Sequence, residues 1–320
     1  MKLDGPGRAL VAALSTTAVG CSLLTGCGSD SNLTGVSPAP TGPVNCGGKG
    51  DLTAEGSTAQ QNAIALFNKE WALLCPGKDL AYNPTGSGAG REQFIASHVD
   101  FAGSDSPLSD DQIDPAAKRC NENPAWHLPM VFGPVALAYH LDGVGSLTVN
   151  ADVLAKVFSG GITDWNDPAI AALNPGVALP DAKISPIYRS DSSGTTDNFQ
   201  KYLAAAAPKS WTRGTGSEFQ GGVGEGAQKS AGVVQAVQST PGAIGYVEKG
   251  FADQSGLPYA RINTGSGAVA LTDDAATSAA VRSFLTVSAN NGQSGLSAAG
   301  YVSLPDKLKQ RLLAAINAIQ

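Results

Sequence analysis

Three times between residues 50 and 115 the sequence runs from a short apolar segment, through a cluster of Gly, Ser and Thr, into helical spacing. DLTA at 51–54 leads through EGS into a helix predicted over residues 58–74. Its apolar residues Ile64, Phe67, Trp71 and Leu74 fall at i, i+3, i+7 and i+10. DLAYNP, then TGSGAG, then REQFIAS repeats the plan, and HVDFAGSD followed by SPLSDDQ begins a third copy. Such strand–turn–helix succession argues for parallel sheets with helices on their faces. The fold class read from it is α/β.

The remainder keeps the pattern after one interruption. MVFGPVALAYHL reads as a long apolar strand broken by Gly133 and Pro134, suited to a crossing between two domains. Beyond it ADVLAKVFSG is helical, ITDWNDPAIAAL is a turn feeding a helix, and KISPIYRSD is a strand. FQKYLAAAA continues as helix, PGAIGYV is a buried strand, and the terminal LPDKLKQRLLAAINAI is an amphipathic helix. A chain of 320 residues is long enough for two core-bearing units. Its 42% hydrophobic and 15% charged residues are those of a globular protein, and 39 glycines and 19 prolines supply many tight turns.

The N-terminus reads as an export signal. Lys2 and Arg8 precede an apolar, Ala-rich run at 9–24, too short to span a membrane and of the length of a signal peptide. It ends in LLTGC, which resembles the bacterial lipobox and makes Cys27 the expected lipidated first residue after removal of 1–26. AVGC, ending at Cys21, lacks the leucine three places before the cysteine. Residues 27–45, rich in Gly, Ser, Pro and Thr without apolar periodicity, are expected to form a flexible tether. Export favours one disulfide among Cys46, Cys75 and Cys120, with one thiol left over and the pairing open. No CxxC occurs and His98, His127 and His140 are scattered, so the sequence carries no zinc pattern and no metal is expected.

Ligands of open α/β sheets sit beyond the carboxyl ends of strands. Four segments hold that position: EGSTA (55–59), TGSGAG (85–90), GSDSPLS (103–109) and RSDSSGTT (189–196). Three of them set Gly, Ser and Thr at a helix start, where unpaired N–H groups and hydroxyls together suit an anion. Taken singly, Ser57 or Thr58, Ser87 and Ser193 would be ordinary N-caps; together with Arg189 and Asp105 they point to a shared ligand. TGSGAG does not give GxGxxG and no GxxxxGK[ST] occurs, so nucleotide binding is disfavoured. The formal net charge of −6 disfavours nucleic acid. It does not bear on a local anion site built from amides and one arginine.

Arg189 ends a predicted strand, and its planar fork suits two oxygens of one anion. Asp191 is near enough in sequence to hold that fork; the plainer reading of the pair is a surface ion pair of small value. Asp105 carries the discriminating argument. A carboxylate in an anion pocket repels the ligand unless the ligand brings a proton to donate. Phosphate at neutral pH does so and sulfate does not.

GST, GSGAG, VDFAGSDSPLS, ITDWNDPAI, RSDSSGT, PGAIGYVE and YVSLPDKL, in that order, resemble the substrate-binding protein of the bacterial phosphate ABC transporter, above all its mycobacterial lipoprotein forms. The resemblance covers about residues 50 to 260 and about 284 to the end. It implies a type II periplasmic-binding-protein fold, two α/β lobes joined by a two-strand hinge that close on one phosphate without metal or cofactor. The lobes would comprise 46–131 with 248–320, and 132–247. Carried onto this chain, the family's ligands would be Ser57, Thr58, the Ala59 amide, Ser87, Asp105 as proton acceptor, Arg189, Ser193, Gly194 and Thr195. Asp191 would be the partner of Arg189. The family also has several dozen residues after a segment like ARINTGSGAVALTDDAATSAAVRSFL that are missing here.

The resemblance further implies a monomeric, lipid-anchored receptor outside the cell membrane. It would deliver inorganic phosphate to an ABC permease and make or break no bond. The rivals are a secreted serine hydrolase or phosphatase, for which neither GxSxG nor HExxH is present, and a surface adhesin or signalling lipoprotein on the same fold.

Overall fold

The computed structural model describes residues 48–265 except 126, 128, 129, 131 and 132, together with Cys46 and residues 268, 269, 309, 310 and 313. The expected signal segment 1–26, Cys27, the tether up to residue 45 and most of the C-terminal helix lie outside the described residues.

The first three strand–helix units are β1 (Asp51–Gly56), α1 (Gln61–Leu74), β2 (Asp79–Pro84), α2 (Ser87–Ile95), β3 (Phe101–Gly103) and α3 (Asp110–Arg119). Their strands form a parallel sheet in the order β2-β1-β3, as the sequence alternation requires. Helix α1 begins three residues later than its apolar spacing suggests. One side-chain and one backbone bond hold residues 57–60 out of the helix: Gln60 Nε2 donates to the Ser104 carbonyl at 2.9 Å, and the Ser57 N–H donates to the Gly103 carbonyl at 2.8 Å. A disulfide joins Cys46 to Cys75 at the end of α1, settling the open pairing and leaving Cys120 as a half-buried free thiol.

The second set comprises β4 (Val135–Tyr139), β5 (Thr148–Val149), α4 (Ala151–Ser159), α5 (Pro168–Ala171), β6 (Ser185–Arg189), α6 (Gly194–Ala206), β7 (Glu225–Ala227), α7 (Lys229–Ser239), β8 (Ala243–Glu248), α8 (Lys249–Gln254), β9 (Arg261–Asn263) and β10 (Ala268–Val269). One sheet has the order β4-β8-β6-β7, in which β4 is antiparallel to β8 and the other pairs are parallel. A smaller sheet has the order β10-β9-β5. Alternation along β4 divides its side chains: Leu137 and Tyr139 enter a core with Leu154, Phe158, Trp165 and Leu203. Ala136 and Ala138 enter another with Val233, Val237 and Val247. With both faces covered, β4 and β8 read as nearly continuous apolar runs.

The helix starts in this part follow local capping chemistry. Asn150 accepts the Val153 N–H at 2.8 Å, Asp167 that of Ala169 at 2.8 Å, and Ser193 that of Thr196 at 3.3 Å. Within the apolar run at 130–141, β4 begins at Val135, directly after Pro134, which has no N–H to give to a ladder.

Ala252 and Leu257 fill the core beneath α7, and Ala260 fills the opposite one. The Tyr139 N–H donates to Pro258 O at 3.0 Å, and Ala260 and Arg261 donate to Leu137 and Leu147. Residues 249–263 therefore pack with the second set of elements, since β4 and β5 would otherwise leave backbone groups unpaired on that side.

Candidate functional site

Five loops meet where they leave the carboxyl ends of β1, β2, β3, β6 and β7. At their centre is Asp105, in the loop after β3. Its Oδ1 accepts from Ser57 Oγ at 2.5 Å and from Gln60 Nε2 at 3.1 Å. Its Oδ2 accepts from Ser87 Oγ and from Thr195 Oγ1, both at 3.4 Å. Ser57, Ser87 and Thr195 are all buried, and each stands where a strand gives way to the next helix. A single carboxylate thus collects hydroxyls from the first sheet and from α6 of the second set.

Arg189 is the last residue of β6, with its side chain 2% exposed. Its Nε donates to Asp191 Oδ1 at 2.7 Å and its Nη2 donates to Asp191 Oδ2. Burial pushes the Asp191 carboxyl up, but the hydrogen bonds and charge of Arg189 and the Lys229 amide outweigh it and hold the group below its ordinary value. Lys229 reaches that position with a φ of +64°, uncommon for a side-chain-bearing residue. Beneath the pair, the Tyr246 hydroxyl accepts the Arg189 N–H at 3.1 Å and shares a 2.8 Å bond with Thr196 Oγ1. Burial raises the Tyr246 phenol to about 12 and keeps it a neutral donor.

Two glycines are required by close approach. A Cβ on Gly194, the first residue of α6, would lie 2.7 Å from both Asp105 Cβ and Ser87 Oγ. One on Gly86, at φ +112°, would lie 2.7 Å from Asp191 Oδ2. Bonds to backbone carbonyls reinforce the meeting of the loops: the Gly88 N–H donates to Ser192 O at 3.1 Å, and the Asn198 side-chain Nδ2 donates to Asp105 O at 2.8 Å.

Of the expected ligand residues, Ser57, Ser87, Asp105, Gly194 and Thr195 meet here beside the Arg189–Asp191 pair, Ser193 caps α6, and Thr58 and Ala59 are aimed elsewhere. Thr58 Oγ1 bonds Ser230 Oγ at 2.7 Å and accepts the Ser230 N–H at 3.3 Å, so it faces the start of α7. The Ala59 N–H is directed at Ser57 Oγ, 3.1 Å away. Sequence reading missed Ser230, Gln60, Tyr246 and Arg91. Ser230 follows the same strand–serine–helix plan, but β7 is the three residues Glu-Gly-Ala and gives no apolar signal. Tyr246, inside PGAIGYVE, reads as plain core. Among the described residues no group of three His, Cys, Asp or Glu side chains could hold a metal. Chemically, the cluster is a set of hydroxyl and amide donors with one paired arginine and one carboxylate acceptor.

Comparison with known proteins places this arrangement. A model of the PBP superfamily domain matches residues 43–292, and the chain belongs to that superfamily. Among curated relatives it is 42% identical over 375 aligned positions to the phosphate-binding protein PstS 3 of Mycobacterium tuberculosis, with 100% of both chains covered. To PstS 2 of the same organism it is 40% identical over 363 positions, covering 96% of this chain and 98% of that one. Its full-length likeness is thus to the PstS proteins. An alignment of 375 positions against 320 residues leaves about 55 positions with no residue of this chain.

Solved structures agree on the fold. The phosphate-bound periplasmic protein PfluDING superposes with a TM-score of 0.55 at 22% identity, covering 84% of this chain and 96% of that one. A phosphate ABC transporter substrate-binding protein from Clostridium perfringens gives 0.56 at 16%, covering 80% and 100%.

Proposed function

We propose that this chain binds inorganic phosphate at the Asp105 cluster and delivers it to an ABC permease. The observation that carries the reading is the single carboxylate on which hydroxyl and amide donors from the β1–α1 loop, α2 and α6 converge. The groups that donate to the Asp105 carboxylate are three hydroxyls and one amide, and Arg189 stands beside them, which suits an anion; the carboxylate acceptor asks that the anion carry a proton. The names of the full-length relatives support the same ligand. In this reading Ser57, Ser87, Ser193 and Thr195 contribute hydroxyls, Thr58 and the Ala59 and Gly194 amides complete the set, and Arg189 supplies the ionic contact. Asp191 keeps Arg189 in place. A full set of fixed donors replaces the hydration shell, and no bond is made or broken.

The β2-β1-β3 sheet and the β4-β8-β6-β7 sheet would be the cores of two closing lobes, with the antiparallel β4 and β8 as hinge. The second lobe then extends through residue 263. LLTGC is the support for lipid attachment at Cys27 and for an extracytoplasmic, monomeric receptor held by the 27–45 tether. A hydrolase reading finds no support in the hydroxyl partners: Ser57 and Ser87 bond Asp105, Ser193 caps α6, and no histidine joins them.

The test is calorimetric titration of ligand-stripped protein with phosphate, arsenate and sulfate. Phosphate should bind far more tightly than sulfate, and Asp105→Ala should narrow that preference. Unaltered selectivity in Asp105→Ala would remove Asp105 from its role. Arg189→Ala should weaken phosphate by about 100-fold or more, the cost of breaking a buried charged pair.

A further inference from the structure

Arg91, in the second turn of α2, is a buried guanidinium whose bonds all go to neutral groups. Nε donates to Gln112 Oε1 at 2.9 Å, Nη1 to Ser104 Oγ at 3.2 Å and Ser106 Oγ at 2.9 Å, and Nη2 to Ser217 Oγ at 3.1 Å. It takes part in none of the ion pairs among the described residues. A desolvated cation without a contact anion is costly. Gln or Met would fill the space without that cost, so a charge further off must favour the cation.

The surrounding charges single out one candidate. Arg189 is matched by Asp191, and Asp197 is matched by Lys201 at 2.7 Å. Glu92 and Asp111 face solvent. Burial lowers the Arg91 pKa from its ordinary value, and Asp197, Glu92, Asp105 and Asp111 act against that fall. Of the four carboxylates acting on Arg91, this leaves Asp105 as the one that is both half-buried and without a cationic partner. The two are linked through the chain, because Nη1 holds the serines on either side of Asp105.

We propose that Arg91 is the counter-charge of Asp105, held off its oxygens by Ser104 and Ser106 so that only neutral donors, which the bound anion's proton can replace, contact the carboxylate. The inference rests on the phosphate reading. With Arg91 present, the four charges Arg189, Asp191, Asp105 and Arg91 sum to zero, and a doubly charged anion meets no net repulsion. Without it, the anion enters a pocket already carrying one negative charge. Direct contact would have served worse, since a guanidinium would bind Asp105 as a fixed charged partner, whereas its present donors are the neutral hydroxyls of Ser57, Ser87 and Thr195 and the Gln60 amide.

The experiment measures phosphate affinity of the ligand-stripped protein at low ionic strength for wild type, R91K, R91Q, S106A, D105N and D105N/R91Q. R91K keeps the charge and loses the fork; R91Q keeps neutral donors and loses the charge. R91K should bind within about fivefold of wild type and R91Q about tenfold or more weaker. In the D105N background the R91Q penalty should shrink to about threefold or less. S106A, which removes one tether and no charge, should stay within about threefold. Equal losses in R91K and R91Q would overturn the proposal in favour of hydrogen-bond geometry, as would an R91Q penalty undiminished by D105N. If R91Q does not fold, a loss in S106A as large as tenfold overturns it, and an intact S106A with an intact R91K supports it. Wild type that ignores phosphate sinks the phosphate reading itself; wild type that binds it while R91Q binds equally well sinks only this inference.

Discussion

The two larger sheets deliver similar loops to one site from very different supports. Around β4-β8-β6-β7 both faces are covered, and Trp165, Tyr139, Phe158, Leu154 and Tyr246 are almost wholly excluded from solvent. Around β2-β1-β3 the buried apolar residues among those described are Ala54, Ile64, Cys75 and Ala116, while Leu66, Phe67, Leu73 and Leu74 on α1 are exposed. The deeply buried groups there are polar: Ser57, Thr58, Ser87 and Arg91. In the second region apolar burial fixes the frame and the site rides on it. In the first region the disulfide and the site's own hydrogen bonds carry much of that task.

The largest effect expected from this contrast is on the second region. Trp165 is 1% exposed, and its Nε1 donates to Gly242 O at 3.0 Å, tying the 160s loop to the strand pair. Trp165→Ala should cost about 3–5 kcal/mol in urea unfolding, from lost burial and the cavity left behind. A cost near that of a surface change would mean that this core can collapse around the gap, and the contrast would weaken.

Next comes the first region's covalent tie. The Cys46–Cys75 disulfide closes a loop with a sequence separation of 29 that holds β1 and α1 together. Replacing both cysteines with alanine should destabilise the protein by about 3–4 kcal/mol, the loop entropy returned to the unfolded chain. The contrast sharpens if the loss appears as early hydrogen exchange confined to β1, α1 and β2, with β4 and β8 still protected. Uniform loss of protection would show that the two sheets unfold as one unit.

How much of this was legible follows from the same contrast. Much of the parallel pairing could be read because β1, β2, β3 and β6 each precede a small-residue turn and a helix; that is why Ser57, Ser87, Asp105 and Arg189 stand out as candidates before any geometry. Their convergence could not be read, since the 2.7 Å bond between Thr58 and Ser230 spans 172 residues. Ser230 itself was hidden by a three-residue β7 without an apolar run. The start of α1 was misplaced because side-chain bonds to residues 104 and 105 override helical spacing at 58–60. The packing of residues 249–263 could not be read either, because they fill cores whose partners are set far earlier in the chain. Tyr246 looked like core and is core; its hydroxyl nonetheless aims the backbone of Arg189.

A smaller, pH-dependent effect tests the site's link to the second frame. Asp191 has its folded pKa below the ordinary value of 3.8, through Arg189 and the Lys229 amide acting against burial. A depressed carboxyl pKa contributes stability that is fully present above about pH 4 and is lost as pH falls through the folded value. Urea unfolding of the wild type should therefore weaken below about pH 4 more steeply than that of Asp191→Asn, which has no such proton to take up. Parallel curves would mean that the Arg189–Asp191 pair is no firmer in the native state than in the unfolded chain.

The smallest expected effect is on the outer face of α1. Leu73 is 66% exposed and Leu66 is 64% exposed, whereas Ile64 on the same helix is 9% exposed. Leu73→Gln should shift stability by no more than about 0.5 kcal/mol, as surface changes do, while Ile64→Ala should cost about 2 kcal/mol or more. The ratio between the two matters more than either value, because both changes act on one helix with one background of propensity. If Leu73→Gln costs as much as Ile64→Ala, that face is covered in solution, and the first sheet then stands on an apolar core of its own as the second one does.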